Sequence, residues 1–385
     1  MVTDVTNLTQ TRRKGKIACE HVAGLAIDYS GVKAMTEQFD NPMGIDGFEF
    51  VEFAAPDAAV LEKLFAQFGF SAVARHRSKN ITLYKQGDCV FLLNDEAGSF
   101  AKDFAAIHGP CACGFAMRVK DADFVFQATL EKGAQAFKTK SATLALDIPC
   151  IEGIGGSILY LVDKYGEQSV YADEYEPIDG ADPNPTGLGL TLIDHLTHNV
   201  YTGNMDEWAG FYERLFNFRE IRYFDIKGAK TGLHSRAMSS PDGQVRIPIN
   251  ESATGKSQIQ EYLDEYQGEG IQHIALFTDD IYATVEGLRA NDLEFLDVPD
   301  TYYEMVDERI PGHQEDLERM RSNSILIDAD QQTRKQLLLQ IFTQTCIGPI
   351  FFEVIQRKGN DGFGEGNFQA LFDSIERDQE RRGII

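Results

Sequence analysis

The chain is poor in what disulfide frameworks, membrane spans and polyanion binding each require. Six cysteines in 385 residues are too few for a disulfide scaffold. Cys111-Ala112-Cys113 has no second pair at zinc spacing, so the thiols read as reduced and structural. No apolar run reaches the length of about 18 residues that a bilayer span needs. The opening MVTDVTNLTQTRRKGKIACEH lacks the apolar core of a secretion signal, so a cytoplasmic setting is expected. Basic residues number 36 against 60 acidic ones, and the formal charge of -24 repels phosphate backbones and anionic lipid at long range. Neither nucleic acid nor a membrane is expected as a partner.

What is present suits two or three well-buried domains, with 43% hydrophobic residues. Residues 1–43 are mixed in pattern and read as an N-terminal extension of uncertain role; the globular signal begins at NPMGIDGFEFVEFAAP. Prolines, glycines and Asp/Asn collect in EPIDGADPNPTGLGL, residues 176–190, a linker. It separates one domain at 44–175 from a second at 191–360. A glycine-rich stretch, GNDGFGEGN, then leads into residues 361–385, where Phe368, Leu371, Phe372 and Ile375 fall at helical spacing on one stripe.

The two halves repeat one another. GIDGFEFVEF followed by LEKLFAQFGF aligns with LIDHLTHNVY followed by FYERLFNFRE, CGFAMRVKDAD with QHIALFTDDI, and GSILYLVDKYG with PIFFEVIQRKG. In this alignment three residues of the second half stand apart from their counterparts: His195 faces Gly47, His273 faces Gly114 and Glu353 faces Tyr160. Each sits in a strand-like apolar run, where an ionised carboxylate costs several kcal/mol unless paired or metal-bound. Two imidazoles and one carboxylate are the ligand set of non-haem Fe(II) oxygenases. One metal per chain, in the second domain, is expected. His198 is the rival within LIDHLTHNV, but strand alternation separates it from His195, Thr197 and Asn199 and sends it outward. Phe351 shares a face with Glu353.

The stretches NPMGIDGFEFVEFAAP, IDHLTHNV, PINE with SQIQEYL, GEGIQHIAL, LLLQIFTQT, FFEVIQRKG and GFGEGNFQALFDSIE together resemble the bacterial 4-hydroxyphenylpyruvate dioxygenase family, over about residues 41–380. The resemblance implies an α+β fold of the vicinal oxygen chelate kind: tandem βαβββ modules forming two open barrels, with a C-terminal lid helix. It implies Fe(II) held by His195, His273 and Glu353. It also implies catalytic polar groups at Ser235, Asn250, Gln258 and Gln340, and a substrate-binding pocket of Pro248, Gln272, Phe342, Phe351, Phe363 and Phe368. Strand alternation places Gln272 opposite His273, which a local bulge would reconcile. The implied substrates are 4-hydroxyphenylpyruvate and dioxygen, the product homogentisate, and the assembly a homodimer or homotetramer. The alternatives are a 4-hydroxymandelate synthase, a ring-cleaving relative, or a non-catalytic binding module of the same fold.

Overall fold

The computed structural model describes residues 39–138, 144–166, 169–227, 232–253, 257–330, 332–367, 369–371 and 381. Expectations for residues 1–38 lie outside the described residues, as do those for Phe368, Phe372 and Ile375. Chain order in the first half is β1 (Phe48–Ala54), α1 (Ala59–Gln67), β2 (Ser71–His76), β3 (Ile81–Gln86), β4 (Cys89–Asn94), α2 (Phe100–His108), β5 (Cys111–Arg118), α3 (Ala122–Glu131), β6 (Cys150–Glu152), β7 (Ile158–Val162), α4 (Tyr171–Glu174) and β8 (Tyr175–Pro177). The second half opens with β9 (Leu190–Val200), α5 (Met205–Phe216), β10 (Arg219–Lys227), β11 (Gly232–Ser239), β12 (Arg246–Ser252), α6 (Gln258–Tyr266), β13 (Gly270–Thr278) and α7 (Ile281–Ala290). It closes with α8 (Asp300–Tyr303), α9 (Val306–Arg309), α10 (Leu317–Asn323), β14 (Leu326–Ala329), β15 (Leu337–Phe342) and β16 (Phe351–Lys358).

Local chemistry explains these elements. Strand β1, FEFVEFA, is aromatic and β-branched and is buried throughout, as a strand covered on both faces should be. Helix α5 buries Met205, Ala209, Tyr212, Leu215 and Phe216, one stripe of its wheel, and stops at Asn217 in the left-handed region.

Two eight-stranded sheets result, ordered β6-β7-β5-β1-β4-β3-β2-β8 and β10-β11-β12-β9-β13-β16-β15-β14. In the second, β9 and β13 run antiparallel at the centre. Strand β12 lies parallel to β9 and β16 parallel to β13, so two βαβββ units meet about a local two-fold. The α+β architecture of tandem βαβββ units forming open barrels is therefore present. Two boundaries differ from the sequence reading: Met43, placed in the extension, is buried in the first core. Within the 176–190 stretch, β8 pairs with β2, and the Gln86 side chain accepts from the Leu188 and Leu190 amides.

The repeat alignment also needs one correction. Strand register places Ala116 opposite Tyr160 and Ala275 opposite Glu353, and Gly114 and His273 two residues earlier on β5 and β13. Phe50 lies opposite Ala116 as His195 lies opposite Ala275, so the counterpart of His195 is Phe50 and not Gly47. The sequence alignment slipped by three because it matched the shared Ile-Asp pair, whereas pairing to the neighbouring strand sets the register. At the sister position the Phe50 and Tyr160 rings pack with centroids 5.2 Å apart. Glu52 is buried there, bonded to Tyr160 Oη at 2.8 Å and Asn94 Nδ2 at 2.7 Å. A ring fills the space that the ligand candidates occupy in the other half.

The first module buttresses the second. Phe352, on the outer face of β16, packs on Phe68 of the first module with ring centroids 4.6 Å apart, and this points its neighbour Glu353 inward. The turn at Gly155 sits against the backbone of Glu269, one residue before β13.

Candidate metal centre

Three central strands of the second sheet bring the ligand candidates together. His195 lies on β9, His273 on β13 and Glu353 on β16, and their ligand atoms all fall within 4.8 Å of one another. His195 Nε2 is 3.3 Å from His273 Nε2, and Glu353 Oε2 is 3.2 Å from the first and 3.5 Å from the second. Glu353 is 3% exposed and His195 2%.

A backbone device orients both rings. Between Ala275 and Leu276 of β13 the facing strand β9 steps from His195 to Ile193, so Asp194 is an extra, bulged residue. Between Ile271 and His273 the extra residue is Gln272, this time on β13. Alternation would aim each away from the histidine that follows it; the bulges turn them back. Asp194 Oδ1 lies 2.8 Å from His195 Nδ1, and Gln272 Oε1 lies 2.8 Å from His273 Nδ1. Since neither partner atom can donate, both rings carry their proton on Nδ1 and present a bare Nε2. Two nitrogen lone pairs and a carboxylate thus converge in a buried space, with Thr197 Oγ1 at 2.9 Å from His273 Nε2 as the hydroxyl nearby. Glu353 Oε1 is buried without a hydrogen-bond partner. Such a set of acceptors is repulsive unless a cation joins it, and its donor chemistry suits a divalent transition metal.

Until a cation is bound, a proton shared between His195 and Glu353 can relieve this repulsion, so a metal at the site competes with that proton. Burial works against the Asp194 charge, but the Arg357 guanidinium more than reverses this, so the carboxyl is held well below its usual range. Burial likewise opposes ionisation of Glu353, yet His195 and His273 pull it below the ordinary glutamate value. Burial lowers His273; burial also works against the His195 charge, but the Glu353 charge and the Asp194 bond together outweigh it and raise that ring.

The pocket candidates divide clearly. Phe351 stacks on His273 with centroids 4.8 Å apart at 19°, Phe342 meets the same ring edge-on at 6.4 Å, and Phe363 meets His195 edge-on at 5.3 Å. Ser235 and Asn250 are cross-strand partners on β11 and β12, and Asn250 Nδ2 reaches Asn199 Oδ1 on β9 at 3.4 Å. Pro248 lies two residues before Asn250 and shares its face. Gln340 is buried against Gly364 with its Oε1 unpartnered. Gln258 is exposed in the first turn of α6. His198 is buried behind the barrel, 2.8 Å from Tyr212 Oη, and burial pushes it down to about 3. Sequence reasoning overlooked Asp194, because alternation hides it. It also overlooked Arg357, four residues after Glu353, whose spacing alone could have signalled a shared face.

Residues 365–367 and 369–371 are helical and follow the glycine-rich hinge. The Gly366 amide donates to Asp328 on β14 at 2.9 Å, and Glu365 pairs with Arg222 on β10 at 3.4 Å, so the tail bridges the two edge strands of the barrel. Burial first, and the Glu365 charge second, push Asp328 up to about 6. A raised carboxyl contributes stability below its unfolded value that is lost as pH rises through its folded one. Relative to Asp328→Asn, the wild-type protein should lose ~3 kcal/mol between about pH 4 and 6.5. Denaturant midpoints across that range check it, and parallel pH profiles would refute it.

Among the described residues, no helix is long and apolar enough to cross a membrane. Residues 39–176 match the family description "Hydroxyphenylpyruvate dioxygenase, HPPD, N-terminal", and residues 192–305 match "Glyoxalase/Bleomycin resistance protein/Dioxygenase superfamily". A 4-hydroxyphenylpyruvate dioxygenase of Pseudomonas aeruginosa is 57% identical over 90% of this chain and 97% of its own length. A Vibrio vulnificus protein named hemolysin VllY is also 57% identical, over 90% of this chain and 98% of its own. Among solved structures, a xylose isomerase-like TIM barrel/4-hydroxyphenylpyruvate dioxygenase fusion protein superposes with TM-score 0.74 at 30% identity, covering 88% of this chain and 54% of that one. A mutant 4-hydroxymandelate synthase from Streptomyces coelicolor shares the fold, with TM-score 0.72 at 21% identity over 87% of this chain and 99% of that one. With more than half of all positions identical across nearly the full length of such a dioxygenase, the chain belongs to the 4-hydroxyphenylpyruvate dioxygenase family.

Proposed function

We propose that His195, His273 and Glu353 hold one Fe(II), and that the chain converts 4-hydroxyphenylpyruvate and dioxygen to homogentisate and carbon dioxide in tyrosine and phenylalanine breakdown. The enzyme class, the reaction and the dependence on iron follow from the family. The observation that supports these ligands is the pair of bulged residues, Asp194 and Gln272, which fix both imidazoles with bare Nε2 atoms facing the Glu353 carboxylate. When bound, Fe(II) supplies dioxygen activation and open positions that a 2-oxo acid can chelate.

The chain's own residues supply orientation and dryness. Phe351 and Phe342 form the wall beside His273, against which a phenyl ring makes offset or edge contacts. Ser235, Asn250 and Gln340 offer hydroxyl and amide groups to hold the polar ends of the substrate, and Gln340 Oε1, buried and unpartnered, is available to a donor on it. Phe363 and the tail shield the centre from water, the role of a lid. Phe368 completes the aromatic set in this reading, and Gln258, in the first turn of α6, adds a further amide.

In the same reading the residues before Met43 are an extension, the first module as far as β8 is a supporting barrel, residues 178–189 connect it to the second, 190–360 form the catalytic barrel and 361–385 the hinge and lid. The protein works in the cytoplasm as a homodimer or homotetramer. The second reading is 4-hydroxymandelate synthase, which oxidises the benzylic carbon of the same substrate. Anaerobic reconstitution with Fe(II), followed by 4-hydroxyphenylpyruvate and air, separates the two. Homogentisate with stoichiometric carbon dioxide is expected. Hydroxymandelate would establish the second reading, and absence of oxygen uptake by metal-loaded protein would leave a binding module.

A further inference from the structure

Strand β16 supplies Glu353 and, four residues on, Arg357, whose guanidinium is almost fully buried. One edge of the fork grips Asp194, with Nε 2.7 Å from Oδ2 and Nη2 2.7 Å from Oδ1. The remaining nitrogen, Nη1, donates to the carbonyls of Asn360 at 3.0 Å and Gly362 at 2.7 Å, in the hinge of the tail. Asp194 in turn holds His195 Nδ1. Arg246 makes a second, longer bridge, 3.4 Å from Asp194 Oδ2 and 3.6 Å from Asp361 Oδ1. Phe363 stands against both the His195 ring and the Arg357 guanidinium.

We infer that Arg357 is a positioning residue that couples the tail hinge to the metal centre, passing the position of residues 360–363 through Asp194 to the orientation of His195. This rests on the metal reading above. A residue that merely neutralised Asp194 would need one positive charge and no hinge contact. Arg357 makes four bonds from three nitrogens, two to the carboxylate and two to backbone carbonyls, more than the three donors on a single ammonium nitrogen can supply. A hinge that withdraws its carbonyls leaves Nη1 buried and unpaired, so the guanidinium must shift, and Asp194 with it. Coupling of this kind is reciprocal: metal at His195 should hold the tail in place, and a held tail should tighten the metal.

The test compares wild type, Arg357→Lys, Asn360→Ala and the double variant, each titrated with Co(II) and followed by its visible spectrum. Asn360→Ala removes the side-chain oxygen that closes the hinge turn on the Gly362 amide at 2.8 Å, and it touches no ligand. Each single variant should bind Co(II) roughly tenfold more weakly, the size expected when a group orienting a ligand is lost. Each should shift the Co(II) absorption, and the double variant should be no worse than the weaker-binding single. Co(II) should also slow tryptic loss of the tail in wild type but not in Arg357→Lys. Wild-type affinity and spectrum in Arg357→Lys, an unchanged spectrum in Asn360→Ala, or additive losses in the double variant would each overturn the coupling. If wild type takes up no Co(II), the metal reading falls and the coupling with it; wild-type uptake beside an unaltered Arg357→Lys overturns the coupling alone.

Discussion

Glu353→Gln should abolish turnover and leave a protein that folds but no longer gains stability from metal. The substitution keeps the shape of the side chain and removes the one formal charge among the three proposed ligands. Groups that only orient a ligand cost roughly 10- to 100-fold in affinity when lost, so loss of an anionic ligand itself should exceed that. The metal-free variant should still fold, because the amide fills the same space and the Oε1 position has no hydrogen-bond partner to lose. Two measurements check this. Wild type in Co(II) at about 100 times its dissociation constant gains ~2.7 kcal/mol, seen as a shift of the denaturant midpoint, and Glu353→Gln should gain none. Iron content and oxygen uptake should fall together. A variant with wild-type iron content and full turnover would remove Glu353 from the ligand set.

Gly155→Ala should be the most damaging single-methyl change in the supporting half. Gly155 has φ +58, a region that costs an alanine about 1–2 kcal/mol. Its added Cβ would also stand 1.9 Å from the Glu269 carbonyl oxygen, an impossible contact with backbone on both sides. A loss of about 3 kcal/mol or more is expected, since either the turn or the start of β13 must move. Glu269 is held from its other side by Trp208 Nε1 and Asn204 Nδ2, at 2.8 and 2.7 Å, so it yields poorly. Gly98→Ala is the control: its φ is +73, but nothing lies within 4 Å of the added methyl, so only the backbone cost of about 1–2 kcal/mol should appear. Because His273 lies on β13, Gly155→Ala should also weaken Co(II) binding, and Gly98→Ala should not. Equal losses for the two variants would show that this contact does not brace the second barrel.

Much of the fold could be read from residues alone. The halves repeat because each must bury the same strand and helix faces, and the repeat survives as aligned apolar runs around His273 and Gly114, and around Glu353 and Tyr160. The alignment failed at β1, where Phe50 and not Gly47 stands for His195, because a one-dimensional match cannot see which residues pair across strands. The aromatic wall was legible for a similar reason. Phe351 and Glu353 are two apart in a strand, and that parity fixes a shared face.

The sequence by itself determined the candidate ligand set: two histidines and one glutamate in strands too apolar to leave a carboxylate unpaired. It also determined the resemblance that pointed to iron and to a phenolic 2-oxo acid. Only the tertiary structure decided how these candidate ligands are aimed. Asp194 and Gln272 obey alternation on paper and break it in the fold, because an extra residue on one strand of a pair is visible only when both strands are in place. The same holds for Arg357, whose partners lie 163 residues before it and three to five after it. Side-chain type is local information, but the direction in which a lone pair points is set by neighbours that folding brings from elsewhere in the chain.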